Sequence, residues 1–245
     1  MEKKKINAEQ LYDILVNQEK ILETRGQISF YLGDVDIVVR QKDVVGNIMQ
    51  EWLVGWFEKR GYAYAPNPNS QMPPDIYLNP DNKEADLLEV KAFNYEATPG
   101  FDIADFNAYQ RQIINEPYML HEKFIIFGYK MQDDGYVHIC DVWLKNVWEI
   151  CRPMADWALN LQVKKNVVHK IRPAKWYGKV TRFRTFESLE DYLAAIEECV
   201  YQNPETHNNA ASWKRSIQKS YRDYYGKDLQ IPRWGDIRSK YIIEK

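Results

Sequence analysis

The run Leu87-Leu88-Glu89-Val90-Lys91-Ala92-Phe93 constrains this chain more than any other. Leucine and valine in near-continuous succession suit a strand buried on both faces, yet two charged residues interrupt the run at a spacing of two. Side chains two apart on a strand share a face. Glu89 and Lys91 therefore project together, while Leu88, Val90 and Ala92 turn the other way into a core. Such a charged pair is costly to bury unless it is paired and hydrogen-bonded. A second acid, Asp75, opens the preceding apolar segment after two prolines, and the polar stretch from Asn79 to Asp86 reads as a turn folding the two segments into a hairpin. One carboxylate from each strand and one ammonium then meet at a point. An E-x-K in a strand is often only an exposed pair of alternating charges, and the apolar neighbours and the adjacent Asp75 set this one apart.

That grouping has a chemical use. Hard Mg²⁺ is held by one or two carboxylates together with a substrate phosphate and water, and Mn²⁺ is the expected substitute. A bound ion polarises a phosphate, lowers the pKa of an attacking water and offsets charge on the leaving oxygen. Lys91 would orient or deprotonate that water and stabilise the pentacoordinate phosphorane.

Around this centre the pattern predicts an α/β protein: a central mixed β-sheet of about five strands flanked by helices. Leu11, Ile14, Leu15, Ile21 and Leu22 recur at helical spacing over residues 7–24, with Asn7 as N-cap. Residues 28–40 suggest a short hairpin, and residues 42–60 an amphipathic helix closed by Gly61. A helix over 103–115 and strands over 123–131 and 136–144, around Asp133-Asp134-Gly135, complete the core. An acidic helix from Ser188 to Tyr201, capped by Ser188 with Asp191, and a basic one from Ser212 to Tyr225 follow. We expect a single domain over 1–245, with a catalytic core of about 42–145 and DNA-binding or accessory elements over about 157–245. The 7–24 helix would serve either in a dimer contact or in its own core.

Other classes are disfavoured. The cysteines, Cys140, Cys151 and Cys199, are odd in number and far apart, so neither a disulfide framework nor a zinc ribbon is suggested. His138 and Cys140 read as alternating strand residues. There is no GxGxxG, GxxxxGK[ST] or HExxH. No apolar run approaches a membrane span, and Met-Glu-Lys-Lys-Lys-Ile is not followed by a signal-peptide core, so a cytoplasmic protein is expected.

The net charge is −2, but its distribution is uneven. From Trp157 to Phe186 there is no acid, while Lys164, Lys165, Lys170, Arg172, Lys175, Lys179, Arg182 and Arg184 stand among aromatic residues. The stretch from Glu187 to Glu205 is acidic in turn. Such segregation suits one polyanion-binding face. Lys164, Lys165, Arg172, Lys175, Lys179, Arg182 and Arg184 are the candidate DNA contacts, although a solvated basic strand pair would look the same. The C-terminal tract around Lys214, Arg215, Lys219, Arg222, Arg233 and Arg238 is a second candidate, its Trp213, Tyr221, Tyr225 and Trp234 reading as core packing.

The run from Glu58-Lys-Arg-Gly-Tyr through Pro-Pro-Asp-Ile-Tyr-Leu to Leu-Leu-Glu-Val-Lys-Ala-Phe resembles the catalytic core of PD-(D/E)xK type II restriction endonucleases, in particular the EcoRV-like branch. More closely, the layout resembles the NgoBV/NlaIV group, which reads GGNNCC. The motif covers roughly residues 42–93. The resemblance implies a restriction-endonuclease-like core in which Asp75 and Glu89 bind Mg²⁺ and Lys91 is the catalytic lysine. Glu51, on the preceding helix, matches the family's accessory acid and would join the catalytic and metal-binding set. It also implies cleavage of double-stranded DNA to 5′-phosphate and 3′-hydroxyl ends, and a cognate methyltransferase acting on the same sequence. One motif per chain cuts one strand, so cleavage at a palindrome implies a homodimer. A structure-specific repair or junction-resolving nuclease of the same fold, or a non-catalytic DNA-binding protein, are the alternatives.

Overall fold

The structure, a computed structural model, describes residues 3–69, 72–165, 167–179 and 182–243. Its elements in chain order are α1 (Ala8–Asp13), β1 (Arg25–Gln27), β2 (Ser29–Leu32), β3 (Val35–Val38), α2 (Val45–Arg60), β4 (Ala65–Pro66), β5 (Ile76–Tyr77) and β6 (Leu87–Asn94). There follow β7 (Ala104–Asp105), α3 (Phe106–Asn115), β8 (Lys123–Met131), β9 (Tyr136–Asn146), β10 (Leu161–Lys164), β11 (Val167–Ile171), α4 (Leu189–Gln202), α5 (Ala210–Tyr225) and α6 (Trp234–Tyr241). Two compact units form, the first from Met1–Pro99 and Glu122–Lys145, the second from Gly100–His121 and Asn146–Lys245.

The first unit holds a six-stranded mixed sheet in the order β1-β9-β8-β6-β5-β4. At its centre β6 and β8 run parallel, from Leu88 opposite Lys123 to Asn94 opposite Tyr129. Parallel neighbours need a long crossover, and residues 95–122 supply it. β5 returns antiparallel to β6, pairing Ile76 with Leu88 and Tyr77 with Leu87. One face of β6 and β8 presents Leu88, Val90, Ile125 and Phe127 to the core. Against it α2 buries Val45, Met49, Leu53, Trp56 and Phe57, the stripe expected of an amphipathic helix. Gly61 ends α2 in the left-handed region at φ 73°, where a Cβ would be strained.

The expected 7–24 helix is shorter than its hydrophobic pattern suggested. Asn7 caps it, accepting from the Gln10 backbone amide at 2.8 Å while Gln10 returns a side-chain bond. After Asp13 the helix widens into a π turn over Ile14–Gln18, and Lys20 turns left-handed at φ 52°. The break brings Ile21 into the core beside Leu11 and Leu15 and frees the chain to pair β1 with β9. The predicted hairpin forms as β2 and β3, outside the main sheet.

The second unit has the three-stranded sheet β10-β11-β7 and helices α3 to α6. Asp105 caps α3 and Ser188 caps α4, the latter accepting from the Asp191 amide at 3.1 Å as the sequence pattern predicts. Trp213 on α5 is buried and donates its Nε1–H to the Gln110 carbonyl at 2.9 Å. Trp213, Tyr221 and Trp234 are buried, in keeping with a packing role. The short strands β7, β10 and β11 and the eight-residue α6, which has no side-chain cap, carry too little pattern to be read from sequence. Among the described residues no helix is long and apolar enough to cross a membrane.

Candidate active site

The ladder between β5 and β6 ends at Ile76, and from there the side chains take over. The Asp75 backbone N–H donates to Glu89 Oε2 at 3.1 Å, and the Val90 N–H donates to Asp75 Oδ2 at 2.8 Å. These crossed bonds lock the two acids opposite one another. The loop ahead of Asp75 is held from behind, since Asn67 donates its side-chain amide to the carbonyls of Met72 and Pro74, both at 2.9 Å, and its backbone N–H to Asp75 O at 3.1 Å. Across the hairpin the Leu78 N–H donates to Asp86 O at 3.0 Å, closing the turn inferred from its polar residues. Glu89 and Lys91 share a face as period two demands, and Lys91 Nζ donates to Glu89 Oε1 at 2.6 Å.

Glu89 is 7% and Lys91 21% exposed at the side chain, so this pair works in a weakly screened environment. Burial raises the Asp75 carboxyl above its ordinary pKa, against the opposing effects of the Val90 N–H and the Lys91 charge. Burial likewise raises Glu89, where contact with Lys91 opposes the shift and the Asp75 charge adds to it. For Lys91 burial disfavours the ammonium, but Glu89, Asp75 and Glu122 outweigh it and hold its pKa above the usual lysine value. Lys91 is therefore a firmly charged donor at neutral pH.

Glu122 is the residue that sequence reasoning missed. It stands one position before β8, on the face shared with Phe124, and the parallel register sets that face beside Glu89. Glu122 is buried, its Oε1 has no hydrogen-bond partner, and burial followed by the Glu89 charge pushes its carboxyl well above the normal range. Asp75, Glu89 and Glu122 all act on the charge of Lys91, and the Asp75 and Glu89 carboxylates, tied together by the crossed bonds, are the oxygen donors that suit a hard divalent cation. Among the described residues no three acid, histidine or cysteine side chains close on a single point. An ion here would be held by Asp75 and Glu89 and would draw its other ligands from outside the protein.

Glu51 does not join them. α2 packs on the Leu88 and Val90 face of β6, opposite to Glu89 and Lys91, and Glu51 lies on the far side of that helix from its buried stripe, exposed. The expected part of Glu51 in the catalytic and metal set thus has no contact with Asp75, Glu89 or Lys91 behind it among the described residues.

The basic candidates all fall in the second unit. Lys164 and Lys165 lie at the exposed end of the β10–β11 hairpin, with Lys165 left-handed at φ 50°. Lys175, Lys179, Arg182 and Arg184 are exposed too. Lys175 sits over the Tyr177 ring at 5.2 Å and Arg182 over Phe183 at 5.0 Å. Arg172 differs: it is half-buried, ion-paired with Asp102 and donates to the Gly100 carbonyl at 2.7 Å.

Known proteins share this architecture. A solved structure of NlaIV restriction endonuclease superposes with a TM-score of 0.95 at 55% identity, covering 98% of each chain. The type II restriction enzyme NlaIV of Neisseria lactamica is 56% identical over 238 residues, 97% of this chain and 98% of its own. The type II restriction enzyme NgoBV of Neisseria gonorrhoeae is 53% identical over 161 residues, 66% of this chain and 91% of its own. These likenesses place the chain in the class of type II restriction endonucleases. It belongs to the NgoBV restriction endonuclease family, whose model matches residues 5–241. The family resemblance seen in the sequence is borne out, and the repair-nuclease and non-catalytic readings give way to it.

Proposed function

We propose that this enzyme hydrolyses both strands of duplex DNA with Mg²⁺, or Mn²⁺ in its place, at a site made by Asp75, Glu89 and Lys91. The observation that carries the reading is the buried pairing of Glu89 with Lys91, tied to Asp75 by hydrogen bonds in both directions. When bound, the cation polarises the scissile phosphate and offsets negative charge as it develops. Asp75 and Glu89 hold it. Lys91, kept charged by its three acidic neighbours, donates to a nonbridging phosphate oxygen and orients the attacking water, a role its raised pKa suits better than that of a base. Water adds to phosphorus in line with the 3′-oxygen. The water gives a proton up to solvent, the P–O3′ bond breaks, the 3′-oxygen takes a proton from solvent, and 5′-phosphate and 3′-hydroxyl ends remain.

Lys164, Lys165, Lys175, Lys179, Arg182 and Arg184 are exposed cations suited to phosphate contacts, and Arg172, fixed by Asp102, is the one pre-oriented guanidinium among the candidates. The resemblance read in the sequence implies GGNNCC as the target, a palindrome that calls for two copies of the single site related by a two-fold axis. A cytoplasmic enzyme beside a methyltransferase of the same specificity completes the reading. The test is a digest of DNA of known sequence with Mg²⁺, with Mn²⁺ and with EDTA, followed by mapping of the ends. Discrete fragments cut within GGNNCC, formed only with metal, are expected. Metal-independent cutting, or fragments unrelated to that sequence, would overturn the respective part.

A further inference from the structure

The β2–β3 hairpin turns its apolar side to solvent. Phe30 pairs with Ile37 and Leu32 with Val35 across the ribbon, and cross-strand partners share a face. These four side chains are 53, 53, 72 and 59% exposed in that order. The opposite face carries the more polar pairs, Tyr31 with Asp36 and Ser29 with Val38. A lone two-stranded ribbon is marginal in water, and a continuous apolar face on one marks a contact surface.

A matching recess lies in the same unit. It has a volume of about 180 Å³ and is lined by Ile28, Val45, Ile48, Trp52, Val137 and Ile139, among others. Trp52 is 39% exposed there. Ile28 lines the recess and the next residue begins β2, so the hairpin leaves directly from the recess wall. Its root is pinned, because Val38 packs so closely on Gly135 that a Cβ there would collide with it. Charge favours a protein occupant. Between Ile28 and Val39 the hairpin holds Asp34 and Asp36 and no basic residue, a poor match for phosphates, while Arg25 in the recess lining is exposed. Among the described residues none of these three makes an ion pair.

We propose that the hairpin of one chain seats its Phe30, Leu32, Val35 and Ile37 face in the Trp52-lined recess of a second copy, and receives that copy's hairpin in return. This rests on the dimer reading above and gives it a surface. The exchange is self-complementary and closes at two copies. It brings the free acids of each hairpin to the free Arg25 of the other chain.

Sedimentation across a concentration series tests it, with three preparations: the wild type, a hairpin variant (Leu32→Ser with Ile37→Ser) and a recess variant (Trp52→Glu, with the exposed Arg25→Asp as a second that cannot disturb the core). Each variant alone should dissociate about a hundredfold more readily than the wild type. Mixed one to one, hairpin and recess variants should associate about tenfold more tightly than either alone, since the mixed dimer keeps one intact contact. Variants that stay as dimeric as the wild type would overturn the surface and leave the dimer standing. Loss of DNA binding by the hairpin variant with dimerisation intact would give the hairpin to DNA and overturn it too. Failure of the mixture to recover would refute the exchange in favour of hairpin against hairpin. A wild type that is monomeric at every concentration, with or without DNA, would sink both.

Discussion

Replacing Asp75 by Asn or by Ala separates its two roles. Asp75 Oδ2 accepts the Val90 N–H at 2.8 Å, so it fastens the hairpin as well as carrying charge. Asn keeps an acceptor in the same place and removes one charge from a crowded acidic cluster, so stability should change by no more than about 0.5 kcal/mol. Ala leaves the Val90 N–H without that acceptor in a half-buried site, at a cost of about 1–3 kcal/mol. For a chain of this size each kcal/mol moves Tm by roughly 2–4 °C. The Ala variant should therefore melt about 2–12 °C below the wild type in EDTA and the Asn variant within about 2 °C of it. Both should lose the upward shift of Tm that Mg²⁺ gives the wild type. Both should cut at least about a thousandfold more slowly in single turnover, as expected when about 4 kcal/mol of charge stabilisation is lost. Scanning calorimetry and quenched-flow cleavage read the two effects. An Asn variant that cuts at the wild-type rate would refute the role given to Asp75.

Glu122→Gln should raise Tm in EDTA at pH 8 and have little effect near pH 4.5. Burial and the Glu89 charge raise the folded pKa of Glu122, so its contribution to stability is present below the unfolded carboxyl value of about 4.3 and is lost as pH rises through the folded one. A variant less stable than the wild type at pH 8 would contradict this. Gly128→Ala should cost about 1–3 kcal/mol in urea unfolding, because a Cβ would lie 2.7 Å from Tyr95 Cδ2 and 3.0 Å from the Trp143 ring, both stacked rings being hard to move. An unchanged midpoint would mean that this packing yields. Joint replacement of Lys164 and Lys165 by Ala should lower the slope of log binding constant against log salt by about 2 on duplex DNA if both meet phosphates. An unchanged slope removes them from the interface.

Much of the site was legible because period two is a local rule. Glu89 and Lys91 had to share a face, and the prolines and polar turn around Asp75 brought the second acid to hairpin distance. Glu122 was not legible, since its place depends on β6 and β8 pairing in parallel across residues 95–122, a tertiary choice that no local pattern records. The position of Glu51 was hidden for a related reason. Its helix was predicted correctly, but the side of the sheet that α2 covers is set by where Leu88 and Val90 point, and Glu51 faces away from both. The β2–β3 hairpin formed as its alternation implied, whereas the exposure of its apolar face is visible only once the other elements are in place. In the basic stretch the cations were evident, but not the pairing that sets Arg172 against Asp102 and leaves Lys164 and Lys165 exposed.

Lys91, held charged between acids, is proposed to act directly on the phosphate. Single-turnover cleavage of a duplex carrying one GGNNCC site, with Mg²⁺ and with binding followed in parallel, tests this in the wild type and in Lys91→Ala. The variant should bind the duplex within a fewfold of the wild type yet cut it at least about a thousandfold more slowly. A Lys91→Ala enzyme that cuts at the wild-type rate and leaves the same ends would contradict it.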